Sequence, residues 1–432
     1  MAFNSVKLTF QSQLGSWLPP IHSQVWILAM GRFLSEVGSG FTLFYAPIFF
    51  VNQVGLSATA FGFALATASI TGIAGRILGG SLADSVKWGR RRTLLLATTI
   101  SAIGSLVLAT TNNFATLLIG NSIAGLGIGL YWPATEAVVA DSSQIENRRE
   151  TFALARLADH LGMAIGLVLA GLFVAIVKNY RWLFVIDAVS FMVFFAVVYV
   201  ALKEPEQPDI ESEQKIQHFT SWITALSDRR FLIYITVNIL FTIYISQIHN
   251  TLPLYFKNFV AVGDTTQGLA ETTISGLFTW HLILAIICQL PMVSLLKNYS
   301  HTLGLSISAA LWAIGFSLIW MTGTATSHHI IWATLALSVF ALASVSYTPS
   351  AASIVTDLAP QSQRGVYFSI NSLCWAVGTF IGSPLGGWAL DQPRIIANSL
   401  WLGFAFSVAI AIIVLQYLNR ILPSPQSPEP SP

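Results

Sequence analysis

Ionisable side chains inside long apolar runs are where this sequence could do chemistry. Arg32 and Glu36 lie in the run 25–51. Four residues apart on a helix, they share one face and can pair. Arg156, Asp159 and His160 share a face in the run 151–177 by the same spacing. Glu136 lies near the end of the run 114–140, and Asp187 lies in the run 182–202. A charge at the centre of a bilayer costs about 2.5–3.5 kcal/mol on insertion scales. Each such residue therefore needs a partner or a task. The tasks open to them are a neutralised structural pair, a grip on a charged solute, or carriage of a proton. The second half of the chain places no acidic residue well inside an apolar run. Its polar set is Asn238, Gln247, His249, His281, Gln289 and Asn371. The halves are chemically unequal: one carries titratable groups, and the other reads as a polar and aromatic wall. Gln247 and His249 are its candidates for contact with a solute or proton.

The elements that hold these residues follow from composition. Of 432 residues only 9% are charged and 54% are hydrophobic, where about 25% charged is usual for a soluble domain. So few charges cannot cover a water-exposed surface. A net charge of +2 supplies no basic field for nucleic acid. Cys288 and Cys374 both lie in apolar runs, which excludes a disulfide framework. A polytopic membrane protein remains. A spanning helix needs roughly 20 apolar residues, and twelve such runs can be read: 25–51, 58–82, 93–110, 114–140, 151–177, 182–202, 231–257, 272–296, 302–322, 330–356, 365–390 and 397–421. They are too long for strands and lack period-two alternation. Residues 203–230 are acidic and proline-bearing, and read as a cytosolic linker between bundles 1–202 and 231–421. The tail 422–432 reads as disordered. The first 24 residues do not read as a cleaved signal. Fourteen of the 21 basic residues fall in loops on the N-terminal side of the membrane, and four on the other. That bias predicts a multi-pass protein of the cell membrane with both termini in the cytoplasm.

The chain also repeats itself. Tyr131-Trp-Pro-Ala-Thr-Glu-Ala-Val-Val-Ala-Asp141 is similar to Tyr347-Thr-Pro-Ser-Ala-Ala-Ser-Ile-Val-Thr-Asp357 at an offset of 216. The same offset pairs Arg148 with Arg364, Gly162 with Gly378, Gly166 with Gly382, and Gly171 with Gly387. Six helices per half is an even number, so both halves start on the same side. Such a parallel repeat places a substrate site between the halves near the midplane. Asp141 and Asp357 are expected at equivalent helix ends, followed by Arg148 and Arg364 in equivalent loops.

With these features the chain resembles the major facilitator superfamily. Gly79-Gly80-Ser81-Leu82-Ala83-Asp84, followed by Gly89-Arg90-Arg91-Arg92, is similar to that family's signature loop after the second span. Two additional residues stand between Asp84 and Gly89, and Ser85 stands where the family has Arg. The resemblance implies that Gly80, Asp84, Gly89, Arg90 and Arg91 form a conformational latch between the halves, and Asp141, Arg148, Asp357 and Arg364 are expected to belong to it. Gly162, Gly166 and Gly171 resemble the glycine-rich fifth span of the drug:proton antiporter branch, with Leu167 where that branch has Pro. Gly378, Gly382, Pro384, Gly386 and Gly387 repeat the theme. Small residues of this kind let helices approach closely. The fourth span has Asn121 near the place of that branch's proton-linked arginine.

The expectation is a secondary transporter that exports small amphipathic molecules in exchange for protons by alternating access. A symporter or facilitator for a sugar, organic anion or other metabolite is the alternative, and a non-transporting sensor stands behind both. No Walker A, H-E-x-x-H or G-x-S-x-G pattern occurs, so no enzyme activity, cofactor or metal is expected. The expected partners are a small-molecule substrate, protons and the bilayer, with the chain as a monomer. Glu36, about 11 residues into its span, lies roughly 16 Å deep at 1.5 Å per residue, and is the expected proton carrier. Asp159 is the second choice.

Overall fold

Apolar sequence in lipid must satisfy its own backbone, and helices do so within one segment. The computed structural model describes residues 23–83, 85, 88–141, 148–203, 222–260, 268–296, 299–360 and 363–421. Twelve helices among them are long and apolar enough to cross a membrane. They are α1 (Ser23–Leu43), α2 (Ala58–Ala83), α3 (Gly89–Ala109), α4 (Phe114–Asp141), α5 (Arg148–Val177), α6 (Arg181–Ala201), α7 (Arg229–Asn250), α8 (Glu271–Leu296), α9 (His301–Thr324), α10 (His329–Leu358), α11 (Arg364–Leu390) and α12 (Arg394–Ile421). The tail 422–432 and most of the linker, 204–221, lie outside the described residues. Residues 222–227 of the expected linker are helical. Asp228 then caps α7, its Oδ1 accepting from the N–H groups of Arg230 and Phe231.

The packing shows two six-helix bundles. In the first, α1 packs on α5 and α6, α4 on α2 and α3, and α3 on α6. Adding six to each number gives the second: α7 on α11 and α12, α10 on α8 and α9, and α9 on α12. Between bundles α2 meets α11 and α5 meets α8, which are again the same pair under that operation. The first span does not run unbroken to Val51. Pro47 has no N–H to continue the ladder, so α1 ends at Leu43 and continues as a short helix (Ala46–Ile48) and a π-turn (Phe49–Gln53). Pro253 breaks the seventh span in the same way, between α7 and a short helix (Leu252–Asn258). The two prolines are 206 residues apart, as are Asn52 and Asn258. Those two amides bond each other across the bundles at 2.8 and 3.0 Å, which puts them on the two-fold axis.

Glycine sets the closest crossings. A Cβ at Gly162 or Gly166 would collide with α1 carbonyls, those of Phe33 and Val37. One at Gly378, Gly382 or Gly386 would collide with Thr242, Ser246 or Thr251 of the seventh span. Gly171 and Gly387 do a different job. They face the other bundle, Gly171 against Ser275 and Gly387 against the Ala58 backbone, while Pro384 stands against Gly62. Gly80 meets nothing within 4 Å, so the close contact in its stretch belongs to Gly79, set against Leu130. Gly89 holds φ +81° at the start of α3, a conformation that suits glycine.

Candidate functional site

The buried centre of the first bundle is a charge cluster. Arg32 on α1 is almost wholly buried. Its Nε donates to Asp159 Oδ1 on α5 at 2.8 Å, and its Nη2 bonds Oδ2. The expected Arg32–Glu36 pair does not form. The guanidinium fork matches a carboxylate facing it from a neighbouring helix with two parallel bonds, and it is used there. Glu36 lies beside this pair and makes no hydrogen bond or ion pair among the described residues. Its electrostatic neighbours are Asp159, Arg32, Asp187 and Arg156. The rings of Tyr131 and Trp132 on α4 lie under Arg32, with centroids at 5.8 and 5.4 Å. The Tyr131 hydroxyl is buried without a partner.

One turn toward the N-terminus of α5, Arg156 bonds Glu136 at 3.1 Å and lies 4.7 Å from the Trp132 centroid. Trp132 is therefore flanked by two guanidiniums. The Arg156 and Glu136 side chains are each 49% exposed. His160 is exposed as well. The shared face expected for Arg156, Asp159 and His160 is thus divided: Asp159 turns inward to Arg32, while Arg156 and His160 turn out.

The second bundle answers this cluster with neutral groups. Asn238 stands 206 residues after Arg32, and Tyr347 stands 216 after Tyr131. Tyr347 donates to Asn238 Oδ1 at 2.6 Å, Asn238 donates to Asn371 Oδ1 at 2.9 Å, and Tyr234 donates to the same oxygen at 2.7 Å. Asn371 stands one helical turn before the position that matches Asp159. Gln247, expected to face a solute, is fully buried and donates to the Gly382 carbonyl at 3.0 Å while accepting from Thr251. It ties α7 to α11. A glutamine beside a packed glycine helix completes its hydrogen bonds there. His249 is half-buried, 5.5 Å from the Phe44 ring, with Nδ1 unpartnered.

Asp84 of the expected latch lies outside the described residues, as do the side chains of Arg148 and Arg364. These two arginines open α5 and α11 in equivalent positions. Arg90 bonds Asp141 and the Ala137 carbonyl of α4. Arg91 donates to the Val198 and Tyr199 carbonyls of α6. These described contacts join helices within the first bundle, where α3 packs on α4, α6 and α2. Asp357 lies 3.5 Å from His301 at the start of α9, as Asp141 meets Arg90 at the start of α3.

The contacts that do join the bundles cluster at one end. Asp391, after α11, accepts from the N–H groups of Ala58 and Thr59 at 2.9 and 2.8 Å. It caps α2 from the other bundle. Glu271 accepts from Tyr180 at 2.9 Å, and Ser275 donates to the Leu167 carbonyl at 2.9 Å. Phe44 stacks on Phe278 at 4.2 Å. Away from that end, the cross-bundle hydrogen bond among the described residues is Arg76 to the Ser372 carbonyl at 3.2 Å. Sequence reading missed Asp391. Its signal was a carboxylate directly after an apolar run, and in sequence it lies three residues before α12, so its use on α2 could not be read.

Twin bundles around a polar midplane define a membrane transporter, and the sequence comparisons agree. The Major Facilitator Superfamily model matches residues 28–267 and 260–432, and the chain belongs to that family. It is 25% identical to the uncharacterized MFS-type transporter YttB of Bacillus subtilis, over 91% of this chain and 95% of the relative. It is 23% identical to a Na(+), Li(+), K(+)/H(+) antiporter of Planococcus maritimus, over 88% and 90%. Its fold is similar to that of the nucleoside transporter NupG, with TM-score 0.79 at 15% identity, covering 92% of this chain and 100% of that one.

Proposed function

We propose that this transporter exchanges protons for a cationic or amphipathic small molecule by alternating access. One observation carries the reading: Arg32 is held by Asp159 through two bonds, which leaves Glu36 beside them with no hydrogen bond or ion pair of its own among the described residues. A carboxylate at that depth is stable when it binds a proton or a cationic solute. Competition between the two for one group couples their movements in opposite directions. The similarity to a cation/proton antiporter supports this direction of exchange. With both termini in the cytoplasm, the end sealed by Asp391 is the outer one, and the bundles face inward. Rocking about the α2–α11 and α5–α8 seams, where Gly387 and Gly171 allow close approach, then exposes the cluster to the other side.

The test uses purified protein in proteoliposomes with a trapped pH dye. An outside-acidic or inside-acidic gradient is imposed, and sodium, potassium, ethidium or glucose is added. The reading expects proton movement opposite to ethidium or one of the two metal cations, and none with glucose. Proton movement in the same direction as glucose would overturn it in favour of a sugar symporter.

A further inference from the structure

On α6, which packs against α1, lies a third carboxylate that the exchange reading does not use. Asp187 on α6 is 6% exposed. Its Oδ2 accepts one hydrogen bond, from Ser105 of α3 at 2.6 Å. Its Oδ1 is buried with no partner. Ser190 turns its hydroxyl to the Asp187 carbonyl instead, at 2.7 Å. α6 packs against α1 and α3. From α1 the groups facing Asp187 are Glu36 and the Ser39 hydroxyl, and from α3 it meets Ser105. On its own helix the nearest cation is Arg181, two turns away. That guanidinium is bound to the Ala109 and Thr111 carbonyls and to Asn112.

An ionised carboxylate offers about four acceptor sites; Ser105 fills one, the Ser39 hydroxyl of α1 is the other donor beside it, and Oδ1 stays unfilled. No base reaches the group, and burial of an uncompensated charge costs several kcal/mol. A purely structural α3–α6 link would need only a hydroxyl or amide at this place. We infer that Asp187 is a second proton site of the transport cycle, coupled to Glu36 of α1, so that the bundle binds two protons in this conformation. This rests on the exchange reading for its role in transport. The proton sits on Asp187 and leaves as H+, restoring the carboxylate; no other bond changes. The two groups repel when both are ionised, so loss of one proton retards loss of the other.

The test is an infrared difference titration of the purified full-length chain, and it needs no substrate. The carbonyl stretch of a protonated carboxyl group is followed as pH rises. Wild type is expected to lose two buried carboxyl bands in separate steps. Asp187→Asn should lack one of them, and Glu36→Gln the other. Ser105→Ala should keep the Asp187 band but shift its frequency, because a hydrogen bond to that carboxyl is gone. If Asp187→Asn is poorly folded, Asp187→Glu and Ser105→Ala decide through the same band. An unchanged set of bands in Asp187→Asn, or no band shift in Ser105→Ala, would overturn the inference. A missing Glu36 band with the Asp187 band intact would instead remove the exchange reading and leave this site standing.

Discussion

At Arg32, removal of the guanidinium leaves Asp159 charged, buried and alone. Breaking a buried pair on one side typically costs about 3–5 kcal/mol. Arg32→Ala should therefore lower the unfolding temperature in detergent sharply. Arg32→Lys should recover only part of the loss, since an ammonium cannot reproduce the two-bond fork. The double change Arg32→Ala with Asp159→Ala should be milder than Arg32→Ala alone. Additive losses in a thermal-melt series would show that the two residues do not form a unit. The same residues show what could be read from sequence. That Arg32, Glu36, Asp159 and Asp187 lie in apolar runs was legible, because charges there are few. Which of them pair was not. Spacing along one helix favours Glu36 for Arg32, but the fork is satisfied by a carboxylate 127 residues away, and only packing brings it there.

Helix packing separates glycines that look alike in sequence. Gly166 faces Gly40 and the Val37 carbonyl at the α1–α5 crossing, whereas Gly80 faces open space. Gly166→Val should lower the melting temperature and the yield of folded protein, and Gly80→Ala should leave both near wild type. Equal losses at the two positions, measured by fluorescence-detected size exclusion after heating, would contradict the packing described. The twelve spans and the second-half copies of α4 and α5 were legible because the 216-residue register runs there without a gap. The register of α1 and α7 is 206 instead. The match of Arg32 with Asn238, charged in one bundle and neutral in the other, was therefore hidden until the two Pro breaks were aligned in space. The breaks themselves, at Pro47 and Pro253, were read as continuous helix because membrane spans tolerate proline.

For the whole molecule, the seal at the Asp391 end holds one of the two facing states. Asp391→Ala removes the capping bonds to Ala58 and Thr59, and the population should shift toward the opposite state. Spin labels at Phe114 and Ser327, exposed residues near that end of each bundle, should report a longer inter-label distance in the variant. An unchanged distance distribution would show that Asp391 does not hold the seal. The central claim is that Glu36 carries the coupling proton while Asp159 holds Arg32. It is tested most directly by comparing wild type, Glu36→Gln and Asp159→Asn in proteoliposomes, using the probe that wild type exchanges. The account predicts that Glu36→Gln loses pH-gradient-driven uptake, and that the binding of probe that remains no longer depends on pH. Gradient-driven uptake in Glu36→Gln at the wild-type rate with an unchanged pH profile, together with its loss in Asp159→Asn, would contradict the account and assign the proton to Asp159.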